Sequence, residues 1–597
     1  MPQRRFELSA TVDFPDDCAQ HVFTPSMLDA LMGILADMGV SRVNWLYYGS
    51  VDEGLFWSEP APFGNRTWVE TVRQLGEPMA AAVPLAHRHG MRLYAVIKPY
   101  NTGLSGSTPT GQADAERSDG LDRLGGPMTS SVPFVRRNPH LRIARRLGSR
   151  PEDLATIPII RLRLLKQDSS PTRVAPKNLQ IWTSNTNSRY TRRDLTFTVR
   201  ESVEPGAQSV TDYDGNTVTA AGNPVRVLTL DGLHLTDRYV LITTDFRDRE
   251  GDFRNTPLAM VEAHGPNGPL PISVATAYTI WDGPRDFRTG GLEFDSGLGT
   301  MPTTLDVDNT PVSGDRFPFL KTQGVIGLAR GRNRYLPTAL SEGYAEVHAL
   351  WLGWVDECLA SGVDGIDLRM SAHSTLTDHP EDYGFNPPIV AAYRRRYGID
   401  IDTDPVDLAA LAAVRGELFT PFVRAARLRA ESAGKPLLIH LHTEAFRPSP
   451  PPGAIMGFPA NLLFDWRGWL DDGLVDAVTL RTSWFESYEP GSARRLGQPA
   501  WTLDRALTDP VVEDAIRTVR THGLPLYLTR YVLATGSPDL YAREIEATAR
   551  DGRFDGFDVY ESKHITLIDN GQVLPKREWT DAIGRVFAKV GPLPDQR

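Results

Sequence analysis

Residues 24–48 read TPSMLDALMGILADMGVSRVNWLYY, a helix and a strand joined by a glycine. Thr24-Pro25 is a capping residue followed by a first-turn proline. Met27, Leu28, Leu31, Ile34 and Leu35 recur at helical spacing, and Gly39 marks the stop. Arg42 to Tyr48 then forms a short, mostly apolar run of strand-forming residues. The unit is a helix that ends at glycine and hands over at once to a strand.

That unit repeats along the chain. Helices ending at Gly90, Gly362, Gly434, Gly473, Gly523 and Gly552 precede the apolar runs Arg92 to Lys98, Val363 to Arg369, Leu437 to Thr443, Val475 to Arg481, Leu524 to Arg530 and Phe554 to Tyr560. The opening strand Phe6 to Phe14 brings the count to eight, and a helix around Trp579 to Val590 closes the set. Strands alternating with helices predict a parallel sheet, and eight of them predict an α/β fold of the (β/α)8 kind, a TIM barrel. An open doubly wound sheet is the alternative, but no glycine-rich phosphate loop follows the first strand.

The rhythm breaks once, after the third strand. Residues 101–126 are rich in Gly, Ser, Thr and Asp and read as a loop. From near Ile157 to near Val325 helical periodicity is lacking, while runs such as Asn178 to Trp182, Leu195 to Val199, Val225 to Leu230 and Tyr239 to Thr243 alternate between turn signals. The expected division is 1–150 for the first three barrel strands, 151–330 for an inserted β-sandwich-like domain, and 331–597 for the remaining five strands. An insert there sits on the face where barrel active sites lie. It reads equally as a wall of the cleft, as a spacer, or as a module that makes a homo-oligomer.

The 597 residues carry a net charge of −10, with 41% hydrophobic and 23% charged residues. Without a basic run there is no electrostatic footprint for nucleic acid, and no apolar run reaches the roughly 18 residues of a membrane helix. Cys18 and Cys358 stand far apart and suggest neither a disulfide framework nor a metal motif. Met1 to Phe6 leads straight into the first strand with no apolar signal segment, which predicts a cytoplasmic protein or the mature form of a secreted one.

Strand residues alternate between the helix-facing and inward sides of a barrel. With the apolar set outward, Glu7, Ser9, Thr11 and Asp13 point in from the first strand. Lys98 and Tyr100 do so from the third, Asp367 and Arg369 from the fourth, and His440, His442 and Glu444 from the fifth. Thr479, Arg481 and Ser483 follow from the sixth, and Asp558 and Tyr560 from the eighth, with Glu561 just beyond. On the seventh either Thr529 or Arg530 faces in. A structural interior would be Val, Ile and Leu. Charged groups are costly to bury unpaired, so their convergence from several strand ends predicts a site.

The stretch Trp351 to Arg369, with Asp364-Gly365-Ile366-Asp367 at its end, resembles the fourth-strand region of glycoside hydrolase-like barrels. Leu85 to Ala95, Tyr383 to Pro387 and Tyr393 to Gly398 resemble the bacterial family 10 glycosylhydrolase-like proteins. The resemblance covers the barrel and not the insert. It implies a glycosidase acting on a carbohydrate, without a cofactor. Retaining glycosidases of the large clan carry an Asn-Glu pair after strand four and a Glu after strand seven. Here strand four offers Asp367-Leu368-Arg369, and Leu528 to Tyr531 has no carboxylate, so that pair does not carry over. The layout is closer to amylase-like barrels, with an Asp after strand four and a Glu after strand five. Their Arg precedes the Asp by two, however, whereas Arg369 follows Asp367 by two.

Glycoside hydrolysis needs a proton donor and a nucleophile or base; a pair about 5 Å apart retains configuration and a wider one inverts it. Asp367 is the expected nucleophile and Glu444 the expected acid/base, with Glu486 and Glu561 in reserve. Substrate contacts are expected from Asp13, Trp45, Lys98, Tyr100, Arg369, His373, His442, Arg481, Trp484, Arg530 and Tyr560. Two other readings stay open: a metal-dependent hydrolase built on His440 and His442, and a carbohydrate-binding barrel without catalysis.

Overall fold

The computed structural model describes residues 6–591 apart from 60, 62–64, 105, 112–114, 116–119, 129, 147–156, 167, 208, 212–216, 245–259, 279–290, 296–325, 378, 444–458, 460, 482–502 and 533–535. Eight parallel strands close on themselves: β1 (Glu7–Val12), β2 (Arg42–Tyr47), β3 (Arg92–Ile97), β4 (Gly365–Arg369), β5 (Leu437–His442), β6 (Ala477–Arg481), β7 (Leu526–Tyr531) and β8 (Gly556–Tyr560). β8 pairs back onto β1, with Thr11 opposite Tyr560. The fold is the α/β barrel that the repeated unit predicts.

The local rules that set the elements are visible in the first unit. The Thr24 side chain accepts the Met27 N–H, and Pro25 opens the helix Pro25–Asp37. Gly39 leaves it at φ +90°, where a Cβ would lie 2.5 Å from the Phe587 ring of the closing helix. Glycine is needed there for both backbone and space.

The outward strand residues Leu8, Ala10, Val12, Val43, Leu93, Ile97, Ile366, Leu368, Ile439, Leu441, Val478, Leu480, Leu528, Phe557 and Val559 share one buried cluster with the helices. The inward residues form layers. At the N-terminal end the Arg42 guanidinium lies 4.0 Å from the Tyr527 ring centre and 5.1 Å from that of Tyr94. Gly365 and Gly556 have no side chain where a Cβ would meet Tyr94 at 2.7 Å and Tyr527 at 2.9 Å. At the waist Asp558 accepts hydrogen bonds from Ser9 (3.0 Å), Thr11 (2.8 Å), Asn44 (2.8 Å) and Thr529 (2.8 Å). Four strands, β1, β2, β7 and β8, are tied through one carboxylate.

Between β3 and β4 lie two larger antiparallel sheets. One runs Gly268–Leu270, Met260–Gly265, Ile159–Leu165, Pro224–Leu235, Thr198–Pro205. The other runs Leu292–Phe294, Ile272–Tyr278, Ile326–Arg330, Tyr239–Thr244, Leu179–Ser184, Thr191–Arg193. They share an apolar cluster that includes Ile159, Leu162, Leu230, Ile181, Val240 and Leu328. Asp295, at the end of this region, accepts from Thr377 (2.5 Å) and Tyr383 (3.0 Å) of the segment after β4, which joins the sheets to the barrel's C-terminal face. Among the described residues no helix is long and apolar enough to cross a membrane.

Asp558→Ala would leave four buried donors without their acceptor. It is expected to lower the unfolding free energy by at least about 3 kcal/mol in a urea titration, against about 1 kcal/mol for Ser9→Ala.

Candidate active site

Each strand delivers one inward residue at its C-terminal end, and together they ring the mouth. Asp13 follows β1, Tyr48 follows β2 and Lys98 follows β3. Arg369, His442 and Arg481 end β4, β5 and β6, and Tyr531 and Tyr560 end β7 and β8. The Tyr48 hydroxyl lies 2.9 Å from both carboxylate oxygens of Asp13 and donates to that carboxylate, while Lys98 Nζ donates to the Tyr48 oxygen at 3.2 Å. The Arg369 guanidinium carbon is 4.8 Å from the Tyr560 ring centre and that of Arg481 is 5.0 Å from it, so both guanidinium groups approach one aromatic ring. Arg369 Nε also donates to Ser371 Oγ at 3.1 Å.

Past β8, Glu561 is buried. Its Oε1 lies 3.4 Å from His564 Nε2 and 3.6 Å from Lys563 Nζ. His564 Nε2 is in turn 2.7 Å from the Tyr531 hydroxyl. Lys563 also contacts Asp16, and Ser562 Oγ donates to Asp17 at 2.8 Å. The short helix Phe14–Asp17 after β1 and the turn Ser562–His564 after β8 therefore lock together, which brings Asp13 and Glu561 to the same side of the mouth.

Electrostatics follow from burial. Desolvation, with the nearby Asp16 carboxylate, pushes Asp13 up to about 7 against the pull of Lys98. Desolvation also raises Glu561, opposed by Lys563. Lys98 is brought down to about 8 by desolvation and then by the Arg369 charge. His440, buried below Arg369 and Arg481, is held well below the ordinary imidazole range by desolvation and those two charges, which keeps the ring neutral.

Several expected site residues meet at this mouth: Asp13, Lys98, Arg369, His442, Arg481, Tyr560 and Glu561. Others do not. Trp45 is a core residue; its ring packs 4.8 Å from Phe14 on the outward side. Its apolar strand-end position could have come from either face, and the alternation set by inward Asn44 decides it. Tyr100 lies beyond the strand, fully buried between Trp351 and Phe419. Its hydroxyl donates at 3.1 Å to Glu342, the partner of Arg415 in a buried ion pair. Arg530 turns outward and pairs with Glu544 of the helix Pro538–Asp551 at 2.8 Å, because Thr529 takes the inward position on Asp558.

Asp367 lies one layer deeper than expected. β4 runs on to Arg369, so Arg369 holds the rim and Asp367 stands below it, with Leu438 as its strand neighbour. It is 2% exposed and its Oδ1 has no hydrogen-bond partner among the described residues. Desolvation raises it to about 7, opposed by Arg42 and reinforced by Asp558. Glu444, Trp484 and Glu486 lie outside the described residues, as does the side chain of His373. Tyr48, Tyr531 and His564 are mouth residues too: Tyr48 and Tyr531 continue the inward sets of Asn44 and Thr529, whereas His564 lies on no strand. Tyr48 stands one residue past β2, and His564 reaches the rim through a turn.

The described residues contain no group of three or more His, Cys, Asp and Glu side chains arranged to hold a metal ion. The two inward imidazoles of β5 stand beside Arg369, Arg481 and Lys98. A divalent cation there would be repelled by three like charges.

No protein-family model matches the chain, and no curated protein resembles it in sequence. Among solved structures, the catalytic domain of β-amylase from Paenibacillus polymyxa is 10% identical over 99% of this chain and 99% of that one, with a TM-score of 0.38. The β-galactosidase from the psychrophilic Marinomonas ef1 is 9% identical over 98% of this chain and 59% of that one, with a TM-score of 0.37. The PgaB (BpsB) glycoside hydrolase domain from Bordetella bronchiseptica is 10% identical over 94% of each chain, with a TM-score of 0.34. Similarities this slight assign neither a family nor a reaction.

The raised carboxyls carry a stability consequence. Asp13 and Asp367 hold their protons more tightly folded than unfolded, so the stabilisation they bring is complete below about 4. It is lost as pH rises through about 7. Melting temperatures measured from pH 4 to 8 should therefore fall less steeply with rising pH in Asp367→Asn than in the wild type.

Proposed function

We propose that the protein is a glycoside hydrolase whose reacting carboxyls are Asp13 and Glu561, at the mouth of the barrel. The observation that carries this reading is the pairing of a half-buried acid, Asp13, with a buried one, Glu561, past the ends of the adjacent strands β1 and β8, both pushed toward holding a proton. Acid-catalysed cleavage of a glycosidic bond needs one carboxyl protonated and its neighbour ionised at working pH. Two carboxyls that repel each other's charge in a desolvated site reach that state together, since ionising one holds the proton on the other.

The surroundings suit the reaction. Tyr48, Tyr531 and Tyr560 line the mouth, and the hydroxyls of Tyr48 and Tyr531 lie among its polar groups. Lys98, linked to Asp13 through Tyr48, favours the ionised form of Asp13, while the more enclosed Glu561 is the proton donor. Asp367, beneath the rim, holds a proton near neutrality and supports the floor of the site.

Assay of the full chain against nitrophenyl glycosides and plant or bacterial oligosaccharides should find turnover. Glu561→Gln and Asp13→Asn should each lower kcat by about 100-fold to 10,000-fold. Binding of an oligosaccharide without turnover of any glycoside would overturn the catalytic reading in favour of a carbohydrate-binding barrel. Stoichiometric zinc or manganese in the purified protein, lost together with activity on chelation, would overturn the two-carboxyl chemistry.

A further inference from the structure

Lys98 and Arg369 are neighbours by construction. β3 and β4 pair in parallel with Ile97 opposite Leu368, and the next residue on each strand is Lys98 and Arg369. Adjacent strands lie about 4.8 Å apart. Both side chains point into the mouth, where they are 5% and 4% exposed. Two cations thus stand side by side in a desolvated space.

Neither has a carboxylate within ion-pair distance among the described residues. Lys98 donates to the Tyr48 hydroxyl, and Arg369 donates to Ser371 and lies over Tyr560. Three other buried arginines of the barrel and its flanks disperse their charge differently: Arg42 lies near Glu7 and between two aromatic rings, Arg415 pairs with Glu342, and Arg530 pairs with Glu544, while Arg481 shares the Tyr560 ring with Arg369. An unpaired buried cation costs several kcal/mol, and a like charge beside it adds to the cost. The repulsion registers on Lys98, for which Arg369 is the charge that most depresses its protonation. Such an arrangement is strained without ligand and relieved by an anion. Lys98 keeps spare N–H donors, and the guanidinium of Arg369 keeps N–H groups beyond the one used on Ser371.

We infer that the substrate is an anionic glycoside, its charged substituent seated between Lys98 and Arg369. The inference rests on the glycosidase reading of the same mouth and names the class of sugar it takes. A carboxylate matches the planar donor edge of a guanidinium, which makes a uronic acid the favoured case, and a sugar sulfate shares the anionic chemistry. Substrate charge would then complete the site electrostatically.

The test compares nitrophenyl glucuronides and galacturonides, the matching neutral hexosides and a sulfated hexoside, with the wild type and with Lys98→Met and Arg369→Met. The expected result is a kcat/KM at least about tenfold higher for an anionic glycoside than for its neutral counterpart, with that preference lost in either variant. The carboxylate and sulfate arms identify which anion is read. Equal or better turnover of neutral hexosides would overturn the inference while leaving the glycosidase reading intact. Calorimetric binding of uronic acid oligosaccharides, without turnover and dependent on Lys98 and Arg369, would uphold the inference and overturn the hydrolase. Absence of both binding and turnover of any anionic sugar would overturn the inference outright.

Discussion

The barrel depends on how it manages charge inside a closed sheet. Asp558 of β8 stands at the waist, and four hydroxyl and amide donors from β1, β2 and β7 converge on it. A carboxylate in that position is stable only because it is fully hydrogen-bonded. The first and last strands meet at that point, so one interaction both satisfies a buried charge and fastens the seam. Tyr560 and Glu561 follow Asp558 by two and three residues, and Asp13 follows Thr11 by two. The placement of the proposed reacting groups is inherited from that clasp.

Above the waist the same constraint is met only in part. The acids on one side of the mouth are braced by Tyr48, Lys563 and His564, while Lys98 and Arg369 on the other side face each other with hydroxyl and aromatic partners. Interior charges settled by local partners serve the fold. Charges brought together from separate strands and left short of a counterion are available to a substrate. Arg415 is held by the Glu342 carboxylate, whereas Arg369 is held by a serine and a tyrosine ring.

The two antiparallel sheets between β3 and β4 enter where the barrel's C-terminal face begins. Their link to that face is polar and specific: Asp295 holds Thr377 and Tyr383, and Arg123 donates to the Phe294 carbonyl at 2.9 Å. Those contacts connect the sheets to the segments that follow β3 and β4.

The repeated helix-glycine-strand unit determined the barrel by itself, because helix stop signals and strand alternation are local properties of the chain. The same alternation sufficed to bring Asp13, Lys98, Arg369, Arg481 and Tyr560 to the inner face. It could not tell which of two neighbours on β7 turns inward, and Asp558, on the next strand, settled that by claiming Thr529 and leaving Arg530 to Glu544. Nor could it tell height: Asp367 and Arg369 share a face, and only the length of β4 and its register against β5 set Asp367 below the rim. His564 joined the site through a turn whose course depends on a contact hundreds of residues apart in sequence, Ser562 with Asp17. Facing is a period-two property readable along one strand, whereas depth, partner and charge state are set between strands, and only the closed barrel brings those strands together.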